Sequence, residues 1–267
     1  MNTSKNSYTI IYATVMVVLV AVILSVAALS LKDRQDANVR VEKMGDILLS
    51  IGQGSEADKA PDKNAYIEAE YAKYITNSYT VNAAGEVTEG TDPFAIALDM
   101  KSELEKPEAE RNLPVFEAKM DDGTIYYVIP VYGSGLWGPI WGNIALEGDF
   151  DTIYGVTFGH QGETPGLGAE IATPIYQDQY KGKTIWSGSN LVSIAVLKGA
   201  GSSAGNPNAV DAITGGTITS RGVETMMKSN LAGYAAYFNK MRSGANAISQ
   251  TLPVETGSEP VNETSHE

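Results

Sequence analysis

Between Asn6 and Leu31 the chain carries no charged residue, and from Tyr8 onward the run YTIIYATVMVVLVAVILSVAALSL is apolar for 24 residues. A helix of ~20 apolar residues crosses a bilayer core, so this one is long enough to span with some tilt. The apolar region of a cleavable signal peptide is usually ~7–15 residues behind a basic start. Here the run is longer and only Lys5 precedes it, so a retained anchor is expected. Tyr8 and Tyr12 fall near one interface, where amphipathic rings are favoured. The flanks speak to orientation: Lys5 stands alone before the span, while Lys32, Arg34, Arg40 and Lys43 follow it. By the positive-inside rule this count puts the large domain in the cytoplasm.

The remainder of the 267 residues is enough for one sizeable domain. A net charge of −13 and a pI near 4.6 lack the basic footprint of a nucleic-acid binder. There are no cysteines, which excludes disulfides, thiolate-held iron–sulfur or zinc, and thioether-linked haem. The two histidines, His160 and His266, are too few for a histidine-rich metal centre, and no metal site is expected.

Along the chain, Val39, Met44, Ile47 and Leu48 recur at near-helical spacing and predict a helix ended by Gly52. The stretch from Asp62 to Asn82 reads as a helix followed by a strand. Gly123–Gly133 is β-rich, and two strand-like pieces meet at the acidic turn Gly148–Asp151. Two more short strands lie within Thr184–Gly199. Val223, Met227, Leu231, Tyr234, Phe238 and Met241 recur at intervals of three and four, one face of a helix over Arg221–Met241. From Ser243 the tail is polar and is expected to be disordered. Residues 50–120 carry no chemical motif.

Three segments could carry chemistry. GSSAG, Gly201–Gly205, has the spacing of a nucleophile elbow, but it leads into Asn206-Pro207-Asn208 rather than a helix. A Ser–His–Asp site is therefore not expected. GHQGETPGLGAE, Gly159–Glu170, is a long glycine-rich loop with no dinucleotide or P-loop spacing; glycines of this kind let backbone approach a flat or anionic ligand. DAITGGTITSRGV, Asp211–Val223, sets hydroxyls around Gly215-Gly216 just ahead of a helix. Thr219 or Ser220 is a plausible N-cap there, and a helix start preceded by two glycines is also a natural phosphate site. On the residues alone, a plain cap and a functional hydroxyl both remain open.

Asp211-Ala-Ile-Thr214-Gly215-Gly216-Thr217 resembles the motif of proteins flavinylated by a dedicated transferase: aspartate, two variable residues, Ser/Thr-Gly-Ala-Thr, with Gly216 in place of the usual alanine. In that motif the final threonine takes FMN through a phosphoester bond. ETPGLG, Glu163–Gly168, is similar to a loop shared by the C subunits of Na+-translocating NADH:quinone oxidoreductases and the G subunits of Rnf complexes. GLWGPIWGNIALEGD, Gly135–Asp149, is similar to a segment of the C-subunit family in particular. The resemblance covers the anchor and most of Ile129–Phe238.

It implies an α+β protein: a single N-terminal transmembrane helix and one FMN-binding domain with a mainly antiparallel sheet flanked by helices. The expected division is a short tail at 1–7, the anchor at 8–31, the FMN-binding domain at 32–242 and a polar tail at 243–267. Thr217 becomes the expected covalent FMN attachment residue and Asp211 a recognition element for the transferase. Thr214 and the amides around Gly215, Gly216 and Thr217 to Thr219 would hold the phosphate; Glu163, Thr164, Leu167, Gly168 and Trp137 would line the flavin, with a buried core place the alternative for Trp137. The implied role is electron relay within a sodium-pumping NADH:quinone oxidoreductase, with no catalysis by the chain alone. Its partners would be the other subunits, the flavin transferase during maturation, and the membrane. The family also implies a bacterial inner-membrane protein with its domain on the periplasmic face, against the charge count. An Rnf-type G subunit and a flavin-free membrane-anchored binding or scaffold protein, in which Thr217 is merely a helix cap, are the alternatives.

Overall fold

The structure, a computed structural model, describes residues 6–251. Helix α1, Asn6–Ser50, runs unbroken for 45 residues from the apolar segment into the domain. No structural break occurs at residue 31, because nothing in Lys32–Arg40 interrupts helical hydrogen bonding: there is neither Gly nor Pro. It has one stretch long and apolar enough to cross a membrane, with a mean hydropathy of 2.8. Up to Arg40 every side chain from Thr9 is exposed; burial begins at Val41. The helix ends at Gly52, as its sequence predicts. Gly52 turns left-handed (φ 74°), and Gln53 and Gly52 donate back to the carbonyls of Leu48 and Leu49.

Next come α2 (Lys63–Tyr74), β1 (Ile75–Val81), β2 (Val87–Thr88), α3 (Pro93–Leu98), α4 (Met100–Glu105), β3 (Leu113–Lys119), β4 (Ile125–Ser134), β5 (Pro139–Leu146) and β6 (Ile153–His160). Asp62, Asp92 and Asp99 cap α2, α3 and α4 with their carboxylates. The six strands form one antiparallel sheet in the order β2-β1-β3-β4-β5-β6. β3, which no sequence motif marks, lies inside it.

Helices cover both faces. Alternate residues of β5 divide between them: Ile140, Ile144 and Leu146 join one core, and Ala145 the other. Ile47 and Leu48 of α1, Ile51 just beyond its end and Phe94 of α3 fill the second core with Phe116 and Val128. A short helix α5 (Pro174–Gln177) and the small strands β7 (Trp186–Ser187), β8 (Asn190–Leu191), β9 (Ala195–Leu197) and β10 (Ala209–Asp211) complete the first core with α6 (Thr217–Gly233). The α+β architecture expected from the sequence is the one observed.

Two helical expectations are corrected. The last helix starts one turn earlier than Arg221 and breaks at Tyr234, after which α7 spans Ala235–Thr251. The break lets the buried Tyr234 hydroxyl reach the Pro114 carbonyl (2.9 Å) while Tyr237 and Phe238 enter the core. Because α7 continues to Thr251, Ser243 is not a helix end; residues 252–267 of the expected tail lie outside the described residues.

Candidate functional site

Two turns and a helix start meet beside the β4–β5 hairpin. Thr164-Pro165-Gly166-Leu167 closes through Leu167 N–H to the Thr164 carbonyl (3.1 Å), with Pro and a left-handed Gly166 at the positions a type II turn favours. Ile213-Thr214-Gly215-Gly216 closes likewise, Gly216 N–H to Ile213 O at 3.0 Å, with Gly215 at φ 79°. The turns abut so closely that a Cβ on Gly215 would lie 2.6 Å from Leu167 Cδ2.

Gly216 is the N-cap of α6, not Thr217, Thr219 or Ser220, because the paired glycines turn the chain early enough for Thr217 to be helical. A glycine supplies no capping side chain. The first intrahelical bond is Ser220 N–H to Gly216 O, and among the described residues the amides of Thr217, Ile218 and Thr219 have no partner. Unpaired amides and the helix dipole make this end favourable to an anion.

The hydroxyls here differ in commitment. Thr219 is buried and donates to Glu163 Oε2 at 2.5 Å. Ser220, also buried, accepts from Ile213 N–H and donates to the Gly216 carbonyl. Thr217 is half-buried, and its hydroxyl makes no hydrogen bond among the described residues.

Glu163 joins the walls. It is 4% exposed, its Oε1 accepts from Trp137 N–H (2.8 Å), and its own N–H donates to His160 Nδ1. A Cβ on Gly135 or Gly168 would collide with its carboxylate. The result is an open cleft of about 290 Å³ lined by Trp137, Glu163, Thr164, Leu167, Gly168, Gly215, Gly216 and Thr217. It also takes in Leu136 and Ile218, which sequence reasoning missed. Their signal was weak: single apolar residues close to glycines in the chain, recognisable only once the hairpin and helix start converge. The rim is apolar and exposed, Trp137 most of all at 69%, so this tryptophan is not a core residue.

Asp211 and Thr214 are not in the cleft lining. Thr214 is exposed on the second turn. Asp211, at the end of β10, accepts from Ser203 N–H (2.8 Å) and Gly201 N–H (2.5 Å), and these amides hold its carboxyl below the usual range. The GSSAG segment is thus the loop that Asp211 organises. Among the described residues no hydrogen bond joins Ser203 to His160, whose Nδ1 is taken by Glu163.

An anion-ready helix start opening on an apolar, glycine-walled cleft describes a domain that holds an anionic, partly flat ligand. Residues 135–232, which contain all of the cleft, match the family described as the FMN-binding domain. The C subunit of the Na+-translocating NADH-quinone reductase of Vibrio parahaemolyticus is 32% identical over 84% of this chain and 90% of its own length. Its counterpart from Neisseria meningitidis serogroup B is 33% identical over 90% of this chain and 96% of its own. A crystal structure of the C subunit from Parabacteroides distasonis superposes with a TM-score of 0.67 at 38% identity, covering 78% of this chain and 96% of that one. This chain belongs to the family of Na+-translocating NADH-quinone reductase C subunits.

Proposed function

We propose that this chain is the membrane-anchored FMN carrier of a Na+-translocating NADH-quinone reductase, with the flavin joined through its phosphate to the Thr217 hydroxyl. The observation that carries the attachment residue is the contrast among neighbouring hydroxyls. Thr217 is uncommitted at the cleft, whereas Thr219 and Ser220 are buried and hydrogen-bonded within the protein.

The residues fit the group. The unpaired amides of Thr217–Thr219 would hold a phosphate, and Gly215 and Gly216 keep side chains out of its way. A cleft of about 290 Å³ is at the small end for a whole ligand, so the exposed faces of Leu136, Trp137, Leu167 and Ile218 would cover the rest. Bound FMN supplies one-electron relay chemistry; the protein's share is to tether and orient it. Glu163 fixes the cleft by holding the hairpin and α6 together. Asp211 holds the Gly201–Ser203 loop beside the motif, as a surface feature that a flavin transferase could read.

The other subunits would exchange the electrons and carry the ion path, since the one apolar span holds no charge. Attachment by a transferase working outside the cytoplasm would put the domain on the periplasmic face of the inner membrane, against the flanking charges. The C-subunit relatives favour this reading over an Rnf-type G subunit.

Co-expression with a flavin transferase, in-gel flavin fluorescence and peptide mass spectrometry test the tether. Thr217→Val is expected to lose all covalent flavin and Thr219→Val to retain it. FMN on Thr219, or on neither, would overturn the assignment. Phosphatase and fluorescent-protein fusions after Gly244 test the topology. An active phosphatase is expected, and a fluorescent fusion with inactive phosphatase refutes the periplasmic placement.

A further inference from the structure

On the opposite side of the sheet from α6, a second cavity of about 490 Å³ opens where α1 joins the domain. Its walls are largely apolar, with Leu98 and Met100 at the α3–α4 joint, Tyr132 of β4 and its cross-strand partner Trp141 of β5. Into it projects Lys43 of α1, a residue only 9% exposed. Among the described residues Lys43 Nζ makes no hydrogen bond and has no carboxylate within 4.0 Å. The other charged groups facing the cavity are Glu42, Asp46, Asp99 and Lys101. Asp99 is occupied in capping Ser102 N–H, and Lys101 pairs with Glu105 at 3.8 Å. Asp46 lies one helical turn beyond Lys43.

We propose that this cavity is a binding site for a small uncharged amphiphile, an apolar body bearing a carbonyl oxygen that accepts a hydrogen bond from Lys43. The fold itself has no use for an ammonium there. Largely desolvating a charge opposes folding, and an unbranched apolar side chain of similar length would fill the same space. Burial pushes the Lys43 amine down to about 8 despite the attraction of Asp46, and pushes the Asp46 carboxyl up to about 6. The ammonium opens into the cavity with no partner among the described residues, so an acceptor oxygen on a bound molecule would meet it in largely apolar surroundings. Facing carboxyls outnumber facing ammonium groups three to two, which disfavours an anionic head. The volume lies within the range of small-molecule sites. The site is separate from the flavin cleft and does not depend on the flavin assignment.

The test uses the full chain in nanodiscs, titrated with 2-undecanone, with decanoate as the anionic comparison and undecane as the headless one. Binding is read by calorimetry against Lys43→Met and Leu98→Trp proteins in identical nanodiscs, which cancels partition into lipid. The expected result is ketone binding to the natural chain, weaker by about tenfold or more in Lys43→Met, the scale of a buried charge-assisted hydrogen bond. Leu98→Trp, which fills the cavity and leaves the lysine, is expected to lose it too. Lys43→Met is also expected to melt higher than the natural chain. Equal ketone binding to all three proteins, preference for decanoate or undecane, or a lowered melting temperature for Lys43→Met would each overturn the proposal.

Discussion

The cleft at the start of α6 and the cavity under α1 flank one sheet, yet they treat buried polar groups in opposite ways. In the cleft the buried carboxylate of Glu163 is fully committed to protein partners, and the free hydroxyl, Thr217, is half-exposed. In the cavity the buried group, Lys43, is the uncommitted one. A committed buried group builds a wall, whereas an uncommitted one costs stability. The difference teaches which side chains to remove when structure is to be separated from function.

The largest effect is expected from Glu163→Ala. It strands the Trp137 N–H and the buried Thr219 hydroxyl, a loss of about 2–5 kcal/mol measured by denaturant unfolding of the domain. Glu163→Gln keeps an acceptor for Trp137 and a donor for Thr219, and should lose much less. A Glu163→Ala change no worse than Glu163→Gln would dissolve the contrast between the two sites.

Lys43→Met should act with the opposite sign, stabilising on the order of 3 kcal/mol at neutral pH if the lowered amine value is carried in full. Its pH dependence sharpens this. The unfolded chain holds the Lys43 proton more tightly, so the charge opposes folding fully below about pH 8. The penalty is relieved as pH rises from about 8 towards 10.5, and over that window the natural chain should gain on Lys43→Met. Asp46 has its folded value raised from 3.8 to about 6. It adds stability below 3.8 that is lost as pH rises through 6, and Asp46→Asn should remove that slope. Melting curves of the three proteins between pH 4 and 10 check both signs.

Thr219→Val should cost about 1.5–3 kcal/mol, the value of a hydrogen bond to a charged group. Combined with Glu163→Ala it should add less than the sum of the two, because both remove one contact. Strict additivity would mean that the 2.5 Å bond contributes nothing. The smallest change is expected from Asp211→Asn. The amides of Ser203 and Gly201 lower the Asp211 carboxyl, so its contribution is present above the ordinary carboxylate range and fades as pH falls through the lowered value. The group is exposed and the melting shift should be slight, while flavin content in the presence of the transferase is expected to drop. A large melting shift with normal flavin content would make Asp211 a structural turn residue only.

These sites are legible in the sequence to different depths. The apolar run, the β4–β6 strands and the helix near the C-terminus follow from local periodicity, which one segment carries by itself. The early start of α6 is not legible, because the choice between a Thr219 cap and a Gly216 cap depends on Leu167 packing against Gly215 from 48 residues earlier in the chain. Trp137 lies in an apolar-looking segment, and only the hairpin geometry turns it outward. β3 has no motif; its place follows from partners on both sides. The cavity is invisible in the sequence, where Lys43 reads only as a charge flanking the span.

The unbroken α1 has a mechanical consequence. Ser50, which ends α1 against the sheet, lies nineteen residues after Leu31, so the domain sits on a stiff arm of about 30 Å at 1.5 Å per residue. The stretch from Lys32 to Arg40 is bare on all sides and has no hinge. Transmembrane helices tilt over a range of about 40°. A change of about 10° at the membrane would swing the far end of this arm by roughly 5 Å. The cargo cleft would travel with it as one piece, so leaning of the whole chain at the membrane would change the distance between the cleft and its electron-exchange partners without any bending within the domain.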